Sequence, residues 1–346
     1  MSLPYLTSEL PGIGGVLRST DEDFAVDEEP AYLPSGAGDH VMVRIEKRGL
    51  ATPQAVRAIA EALGVRDRDI GVAGMKDRRA VTTQWLSLPP PVTPEAARAL
   101  ELPGVSVLEA ARHPHKLRTG HVRANRFRIR VRSLGADPPA LARRASEILE
   151  RLAAPPGAPN WYGEQRFGRD GDNAARGREL VSGARRPGRD RRMDRLMISA
   201  LQSELFNAWL AARVADGLYR RALAGDVLHK RGGGLFDCAD PAADEPRLVA
   251  GEVVATGPMF GERMRRPAEG TPAAAREAAI LDAAGLPRDA FARVRALAEG
   301  TRRDAAVPLA AAAVAAADDG TLEVAFTLPG GAYATTVMRE VMKTDE

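Results

Sequence analysis

One short segment constrains the fold most, because its side chains alternate strictly between apolar and basic residues. In "NRFRIRVRS", residues 125–133, Phe127, Ile129 and Val131 would face one way and four arginines the other. Alternation with a period of two residues predicts a half-buried β-strand. The wider segment 112–132 carries eight Lys or Arg, three His and no acidic residue, which is typical of a sheet face that meets a polyanion. We therefore expect a nucleic acid as partner.

Strand patterns and helix patterns occupy different parts of the chain. Alternation predicts strands at 40–47, 82–88 and 321–328, and the segment 51–65 predicts a helix with Thr52 as its N-cap. Residues 193–217 predict a long amphipathic helix, and the alanine-rich segment 271–317 is expected to be mostly helical. Strand-rich segments that flank a helical block indicate a domain inserted into a sheet-bearing domain.

The composition excludes several classes of site. A single cysteine among 346 residues excludes a disulfide framework and a Cys-rich zinc site, and the five histidines lack the His-x-x-x-His metal spacing. No glycine-rich loop has the pattern of a nucleotide-cofactor motif, and no apolar tract is long enough to span a bilayer. We therefore expect no cofactor, no metal and no membrane partner, in a reducing cytoplasm. If the chain is an enzyme, its side chains alone perform the reaction.

Four further stretches carry candidate functional residues. In "GVAGMKDRRAVTTQW", residues 71–85, Lys76 and Asp77 form a charged pair between two apolar runs. This pair is either a surface turn, which the local sequence favours, or a carboxylate held at the mouth of a pocket. Phe24 in "STDEDFAVDEE" is either a core anchor or a ring that stacks on a base. "NWYGEQRFGRDGDN", residues 160–173, fits a structured loop at least as well as a site, and "LPGGAYATTVMRE" predicts a loop carrying Tyr333 before a short helix.

Five segments together resemble the tRNA pseudouridine synthase D family, in the order in which that family has them. They are "LRSTDEDFAVDEE", "GVAGMKDRRAVTTQWLSL", "RHPHKLRTGHVRANRF", "PNWYGEQRFGRDGDN" and "LPGGAYATTVMRE". The resemblance implies an α+β fold in two domains. Residues 1–158 and 306–346 would form a pseudouridine-synthase catalytic domain with a mixed, mostly antiparallel sheet. Residues 159–305 would form an inserted, largely helical α/β domain, the TRUD domain.

The resemblance also implies an activity and a site. The family converts uridine to pseudouridine at position 13 of tRNA with an aspartate nucleophile and no cofactor, and its essential aspartate matches Asp77. Arg18 stands where the family commonly has lysine and keeps the positive charge, so we expect it to pair with Asp77. Lys76 is less suited, because neighbours in extended backbone point apart. Four positions match the family's uridine site: Phe24, Asn125, Phe127 and Tyr333. At the position of Tyr333 the family commonly has phenylalanine.

The expected partner is tRNA, bound by a monomer. The alternative is a non-catalytic RNA-binding protein on the same scaffold, which would share the basic strand and the aromatic residues. Asp77 discriminates between the two, because a pure binder gains nothing from a carboxylate that faces phosphates.

Overall fold

The computed structural model describes residues 3–135 and 137–344, and these fold as two compact units. The sheet unit takes the described residues of Pro11–Glu150, Leu309–Ala334 and Val341–Glu346. The helical unit takes those of Met1–Leu10, Arg151–Pro308 and Thr335–Glu340. These bounds differ from the predicted ones at 1–10, 151–158, 306–308 and 335–340, which the sequence analysis grouped with the sheet. The assignment of 159–305 as an inserted domain stays a prediction.

The secondary structure is as follows. The helices are α1 (Thr52–Leu63), α2 (Pro94–Arg98), α3 (Pro138–Ala153), α4 (Asn173–Ser182), α5 (Arg191–Ala215), α6 (Pro241–Val249), α7 (Pro272–Ala283) and α8 (Ala334–Met342), with short 3₁₀ turns at Asp21–Asp23, Asp67–Asp69, Glu164–Phe167 and Ala290–Val294. The strands are β1 (Phe24–Pro30), β2 (His40–Arg48), β3 (Gly71–Val72), β4 (Val81–Leu88), β5 (Val105–His113), β6 (Val122–Val131), β7 (Ala158–Pro159), β8 (Val227–Lys230), β9 (Leu235–Asp237), β10 (Val253–Met259), β11 (Thr301–Asp304), β12 (Ala306–Val307), β13 (Ala310–Ala316) and β14 (Leu322–Pro329).

One eight-stranded sheet, in the order β13-β14-β6-β1-β4-β2-β5 with β3 paired to β4, forms the sheet unit. The β1–β4 pairing is parallel, and the remaining pairings among the described strands of this sheet are antiparallel. The predicted strand at 321–328 joins the N-terminal strands, because β14 pairs with β6 from Leu322 to Pro329. The predicted α+β class with a mixed, mostly antiparallel sheet is confirmed.

Strand β6 has the predicted two-sided character. Phe127, Ile129 and Val131 are buried, while the arginines at 126, 128 and 130 are exposed or half-exposed. Helix α1 packs on the sheet through Val56 and Ile59, which join a core cluster with β2 and β4. Full burial of such a side chain stabilises the fold by roughly 1.5–3 kcal/mol. The sheet therefore contributes its apolar side chains to the core, and the loops at its strand ends can present functional side chains.

The predicted N-cap of α1 is wrong. The cap position is Ala51, and Thr52 is already the first helical residue. The Thr52 hydroxyl is engaged elsewhere, because it donates to Gln84 Oε1 at 2.8 Å and accepts the Lys76 backbone N–H at 2.9 Å. A tertiary contact therefore occupies the hydroxyl that a local rule would assign to the helix end.

The prediction that 271–317 is mostly helical is also wrong in its second half. Helix α7 ends at Ala283, while β11, β12 and β13 occupy most of 301–316. The alanine-rich run Ala310–Ala316 pairs with β14 as the edge strand of the large sheet. Alanine has the highest helix propensity, but helix propensity is a weak preference. The backbone hydrogen bonds that β14 supplies override it here.

The helical unit is built around α5, the predicted long helix. Phe206 and Trp209 of α5 pack in one core cluster with β10, and that strand belongs to a four-stranded antiparallel sheet, β11-β10-β8-β9. A Cβ on Gly257 would lie 2.4 Å from the Trp209 ring, so a side chain there would push the helix off the sheet. No helix within 3–135 or 137–344 is long and apolar enough to cross a membrane.

Candidate active site

Asp77 lies in the loop between β3 and β4 of the sheet unit. Its Oδ2 accepts a hydrogen bond from Arg18 Nη2 at 2.7 Å, and the two side chains are 33% and 18% exposed. The carboxylate is thus not a free surface acid, and among the described residues no hydrogen bond joins it to the backbone of its own loop. Arg18 is the expected partner, and the expected contact is present.

Arg18 is held in place from two directions. Its guanidinium carbon lies 4.2 Å from the centre of the Phe24 ring, a cation–π arrangement. Its carbonyl accepts a hydrogen bond from Arg79 Nη2 at 2.8 Å. The backbone of Arg18 has a φ of 55°, a left-handed conformation that is uncommon outside glycine. The local fold therefore accepts backbone strain where it aims this side chain at Asp77.

Lys76, the sequence neighbour of Asp77, has a different partner. Its Nζ forms an ion pair with Glu28 of β1, and both side chains are almost fully buried. Glu28 also accepts the backbone N–H of Trp85 at 2.9 Å. Adjacent charges in this loop therefore point to separate partners, as expected for extended backbone, and the Lys76 contact fixes the loop to the sheet.

Lys47 is a functional candidate that the sequence analysis missed. This lysine of β2 is fully buried, and its Nζ donates to the carbonyls of Leu50 at 2.6 Å and Asp77 at 2.7 Å. Burial lowers the pKa of Lys47 from 10.5 to about 8, against the opposing pull of the Asp77 carboxylate. A signal for it exists in the sequence, because Lys47 continues the inward-facing series Val41, Val43 and Ile45, where a cation needs a special partner.

Four contacts thus fix the loop that carries Asp77. Arg18 holds the carboxylate, Lys47 holds the carbonyl of the same residue, and the Thr52 hydroxyl and Glu28 hold Lys76. The contacts come from β1, β2, α1 and the segment before β1 that carries Arg18. Preorganisation of this kind is what a reacting group requires, since its geometry must be set before the substrate arrives.

The candidate base-binding residues lie along neighbouring strands. Phe127 is opposite Val26 in the β1–β6 register, and Asn125 is opposite Glu28. The Phe24 and Phe127 rings meet edge to face, with centroids 6.2 Å apart at 72°. The site residues of β1 and β6 therefore share one sheet face, the face over which Lys76 is anchored.

These residues differ in how ready they are to meet a substrate. Phe24 is 2% exposed and Phe127 is 7% exposed, so both rings are buried, and Phe24 lies beneath the Arg18 guanidinium. The Asn125 side chain is buried, and its Oδ1 has no hydrogen-bond partner among the described residues. Tyr333 is half-buried in the loop between β14 and α8. That loop follows Pro329, which pairs with Ala124, so Tyr333 comes from the strand end beside Asn125.

The arrangement can supply a fixed, partly exposed carboxylate next to a sheet face with an aromatic ring and an unpartnered amide oxygen. An unpaired buried polar atom is costly unless a ligand or water satisfies it, so Asn125 is suited to a hydrogen bond with a bound group. Within 3–135 and 137–344, no cluster of His, Cys, Asp and Glu is fit to hold a metal ion.

Comparisons with known proteins point to one family. The family described as tRNA pseudouridine synthase D (TruD) matches residues 1–186 and 189–341. A protein of Anaeromyxobacter dehalogenans named tRNA pseudouridine synthase D is 54% identical over 347 residues, covering 99% of this chain and 96% of its own length. A Thermus thermophilus protein of the same name is 43% identical over 343 residues, covering 99% and 92%. A crystal structure of a Methanosarcina mazei protein assigned to this family has a TM-score of 0.77 at 22% identity, covering 100% of this chain and 99% of that one, and shows the fold alone.

Proposed function

The chain belongs to the tRNA pseudouridine synthase D family, and on that premise we propose that it converts uridine to pseudouridine at position 13 of tRNA, with Asp77 as nucleophile and without a cofactor. The observation that carries the proposal is the Asp77 carboxylate, held at 2.7 Å by Arg18 while its backbone carbonyl is held by Lys47. We further propose that the enzyme works as a monomer in the cytoplasm and that residues 159–305 are the inserted TRUD domain.

The reaction breaks the glycosidic bond of uridine, turns the base and rejoins it through carbon. The target base must first leave its stack, so the site needs a flat apolar surface and a polar contact for the base edge. Phe127 and Tyr333 are suited to the first task, and the unpartnered Oδ1 of Asn125 is suited to the second. A uridine N3–H is a donor, and an amide oxygen accepts it.

Asp77 then acts near C1′ or C6 of the nucleotide. A carboxylate can attack as a nucleophile or abstract a proton, and Arg18 donates to this one at 2.7 Å. The Arg18 contact uses one nitrogen, and the guanidinium has further N–H groups. Arg18 can therefore also donate to the substrate while Asp77 reacts.

The competing function is RNA binding without chemistry. It would use the same basic strand and aromatic residues, but it gives no reason for four contacts to fix a loop that carries a carboxylate, which repels phosphates. The test is to incubate uridine-labelled tRNA transcripts with the protein and to map pseudouridine by position. Pseudouridine at position 13 supports the proposal, whereas bound but unmodified tRNA supports the alternative.

A further inference from the structure

We propose that a surface cavity in the helical unit binds one unpaired nucleotide of the RNA substrate, and this inference rests on the proposed function. The cavity has a volume of about 840 Å³, within the range of small-ligand sites. Its lining includes residues of "NWYGEQRFGRDGDN", which the active site leaves unexplained, residues of the first turns of α5, Met259 and the segment 297–301. We call it the α5 cavity.

Three arginines line the α5 cavity: Arg166, Arg192 and Arg195. Arg166 is held by hydroxyl groups, with its Nε donating to Ser203 Oγ at 2.9 Å and its Nη2 donating to Ser199. Arg192 and Arg195 are exposed. Within the described ranges, none of the three forms an ion pair with Asp or Glu. Unpaired guanidinium groups that converge on one cavity are suited to a phosphate.

Two acids also line the cavity, and each is engaged. Asp190 caps α5, because its Oδ1 accepts the backbone N–H groups of Arg192 at 3.0 Å and Met193 at 3.1 Å. Glu299 lies 3.7 Å from Arg263 Nη1. The charge of the lining, with three cations against two acids, remains positive. An anionic ligand is therefore favoured.

The cavity also has an exposed apolar wall. Met193 and Leu196 are 44% and 42% exposed, and both line the cavity. The Tyr162 ring is already covered by Arg303, whose guanidinium carbon lies 4.0 Å from the ring centre. A base would therefore lie against Met193 and Leu196, with its phosphate on the arginines. A phosphate ion alone would leave this wall exposed to water.

The surface beside the cavity favours a nucleotide that belongs to a chain. Segment 185–195 carries six arginines, and all six are exposed. A free mononucleotide needs only the charge inside the cavity, whereas an RNA strand that enters it needs positive charge along its path. We assign the cavity to an unpaired nucleotide of bound RNA on this ground.

The test compares two charge-matched double variants in RNA binding. Arg192→Ala with Arg195→Ala removes two cations that line the cavity. Arg266→Ala with Arg288→Ala removes two exposed cations of the same unit that neither line it nor belong to segment 185–195. We expect the first to weaken binding of a tRNA transcript ~10-fold or more and to reduce the salt slope by about 0.7 for each phosphate that the variant no longer binds. We expect the control to change affinity by less than ~3-fold, since screened surface charges act weakly. Thermal unfolding verifies that both variants are folded.

A second pair of variants tests the apolar wall. Leu196→Ser should weaken RNA binding by ~5-fold with an unchanged salt slope, because contact with a base is not electrostatic. Val249→Ser is the control, since Val249 is 59% exposed and lies outside the cavity. Crosslinking of transcripts that contain 4-thiouridine should mark the peptide with Met193 and Leu196 in the wild type.

Equal RNA binding by the two double variants overturns the inference. A second result also overturns it. The wild type would bind uridine or adenosine 5′-monophosphate in calorimetry, and the first double variant would lose this binding but keep its RNA affinity. The cavity would then serve a free nucleotide. Pseudouridine mapping with the wild type is read separately. Absence of pseudouridine while the cavity variants still lose RNA affinity refutes the proposed function and leaves the RNA site standing.

Discussion

Replacing Lys47 by methionine tests whether this buried cation positions Asp77. Methionine keeps a similar length but cannot donate to the carbonyls of Leu50 and Asp77, which Lys47 now holds. Each buried carbonyl left without a donor costs ~1–3 kcal/mol. Against this loss, a pKa of about 8 rather than 10.5 corresponds to roughly 3 kcal/mol of burial penalty that methionine avoids. At pH 7, the free energy of unfolding should therefore lie between a gain of ~1 and a loss of ~3 kcal/mol.

The free energy of unfolding should depend on pH in a definite direction. Below pH 8 the lysine is protonated in both folded and unfolded chains, so it adds no slope. Between about 8 and 10.5, the unfolded chain binds a proton that the folded chain lacks, so stability rises with pH. The wild type should gain up to roughly 3 kcal/mol over this range relative to Lys47→Met. Urea unfolding at several pH values measures it, with exposed Lys230→Met as the control.

The same variant should lose activity more than stability. Without its anchor the Asp77 backbone can shift, and a displacement of about 1 Å can cost ~100-fold in rate. We expect single-turnover conversion to fall ~10- to 100-fold while tRNA affinity is nearly unchanged. Parallel pH curves for Lys47→Met and the wild type, together with unchanged turnover, would refute the positioning role.

Three further changes probe the site and the helical unit. Arg18→Ala should reduce turnover ~100- to 1000-fold, as loss of one well-placed donor does in other enzymes, and Arg18→Lys should recover part of it. Turnover by Arg18→Ala equal to that of the wild type would show that the charge beside Asp77 is dispensable. Glu28→Gln leaves the buried Lys76 unpaired and should cost ~3–5 kcal/mol of stability; an unfolding midpoint like that of the wild type would contradict this. Burial raises the pKa of Cys238 to about 12, so its thiol should resist alkylation at pH 8 until the chain is unfolded, and rapid labelling of the native protein would count against it.

The strands of the large sheet could be predicted where the sequence itself alternates between apolar and polar residues. The alternation in β6 and in β14 indicated both their extent and their buried sides, and the structure pairs them residue by residue. The alanine-rich β13 has no such alternation, and its pairing with β14 makes it a strand. The sequence pattern therefore predicted the strands whose own residues alternate between buried and exposed positions. It failed for the strand whose conformation is determined by pairing with a neighbouring strand.

The candidate site follows the same rule. The pairing of Arg18 with Asp77 could be expected. Lys76 had to point away from Asp77, and Arg18 is a second cation in a segment that resembles the family. The need of Lys47 for a special partner could be inferred from its place in the inward-facing series of β2, but the partners could not, because they are backbone carbonyls that no sequence pattern reveals. The prediction of Thr52 as N-cap was wrong for a related reason. Its hydroxyl bonds to Gln84 of β4 and to Lys76 in the loop that carries Asp77, and both are distant in sequence.

The central claim is that Asp77 performs the chemistry, and Asp77→Asn tests it most directly. Asn has nearly the same size and keeps an oxygen that can accept from Arg18, but it supplies no carboxylate. Asp27→Asn is the matched control, because Asp27 accepts from Thr83 Oγ1 at 3.0 Å and asparagine can do the same.

The measurement is single-turnover conversion of uridine in tRNA, with tRNA affinity determined on the same preparations. We predict that Asp77→Asn abolishes conversion while binding tRNA as tightly as the wild type or slightly more tightly, and that Asp27→Asn stays active. Conversion by Asp77→Asn within about tenfold of the wild type, a barrier change of only ~1.4 kcal/mol, would contradict the account.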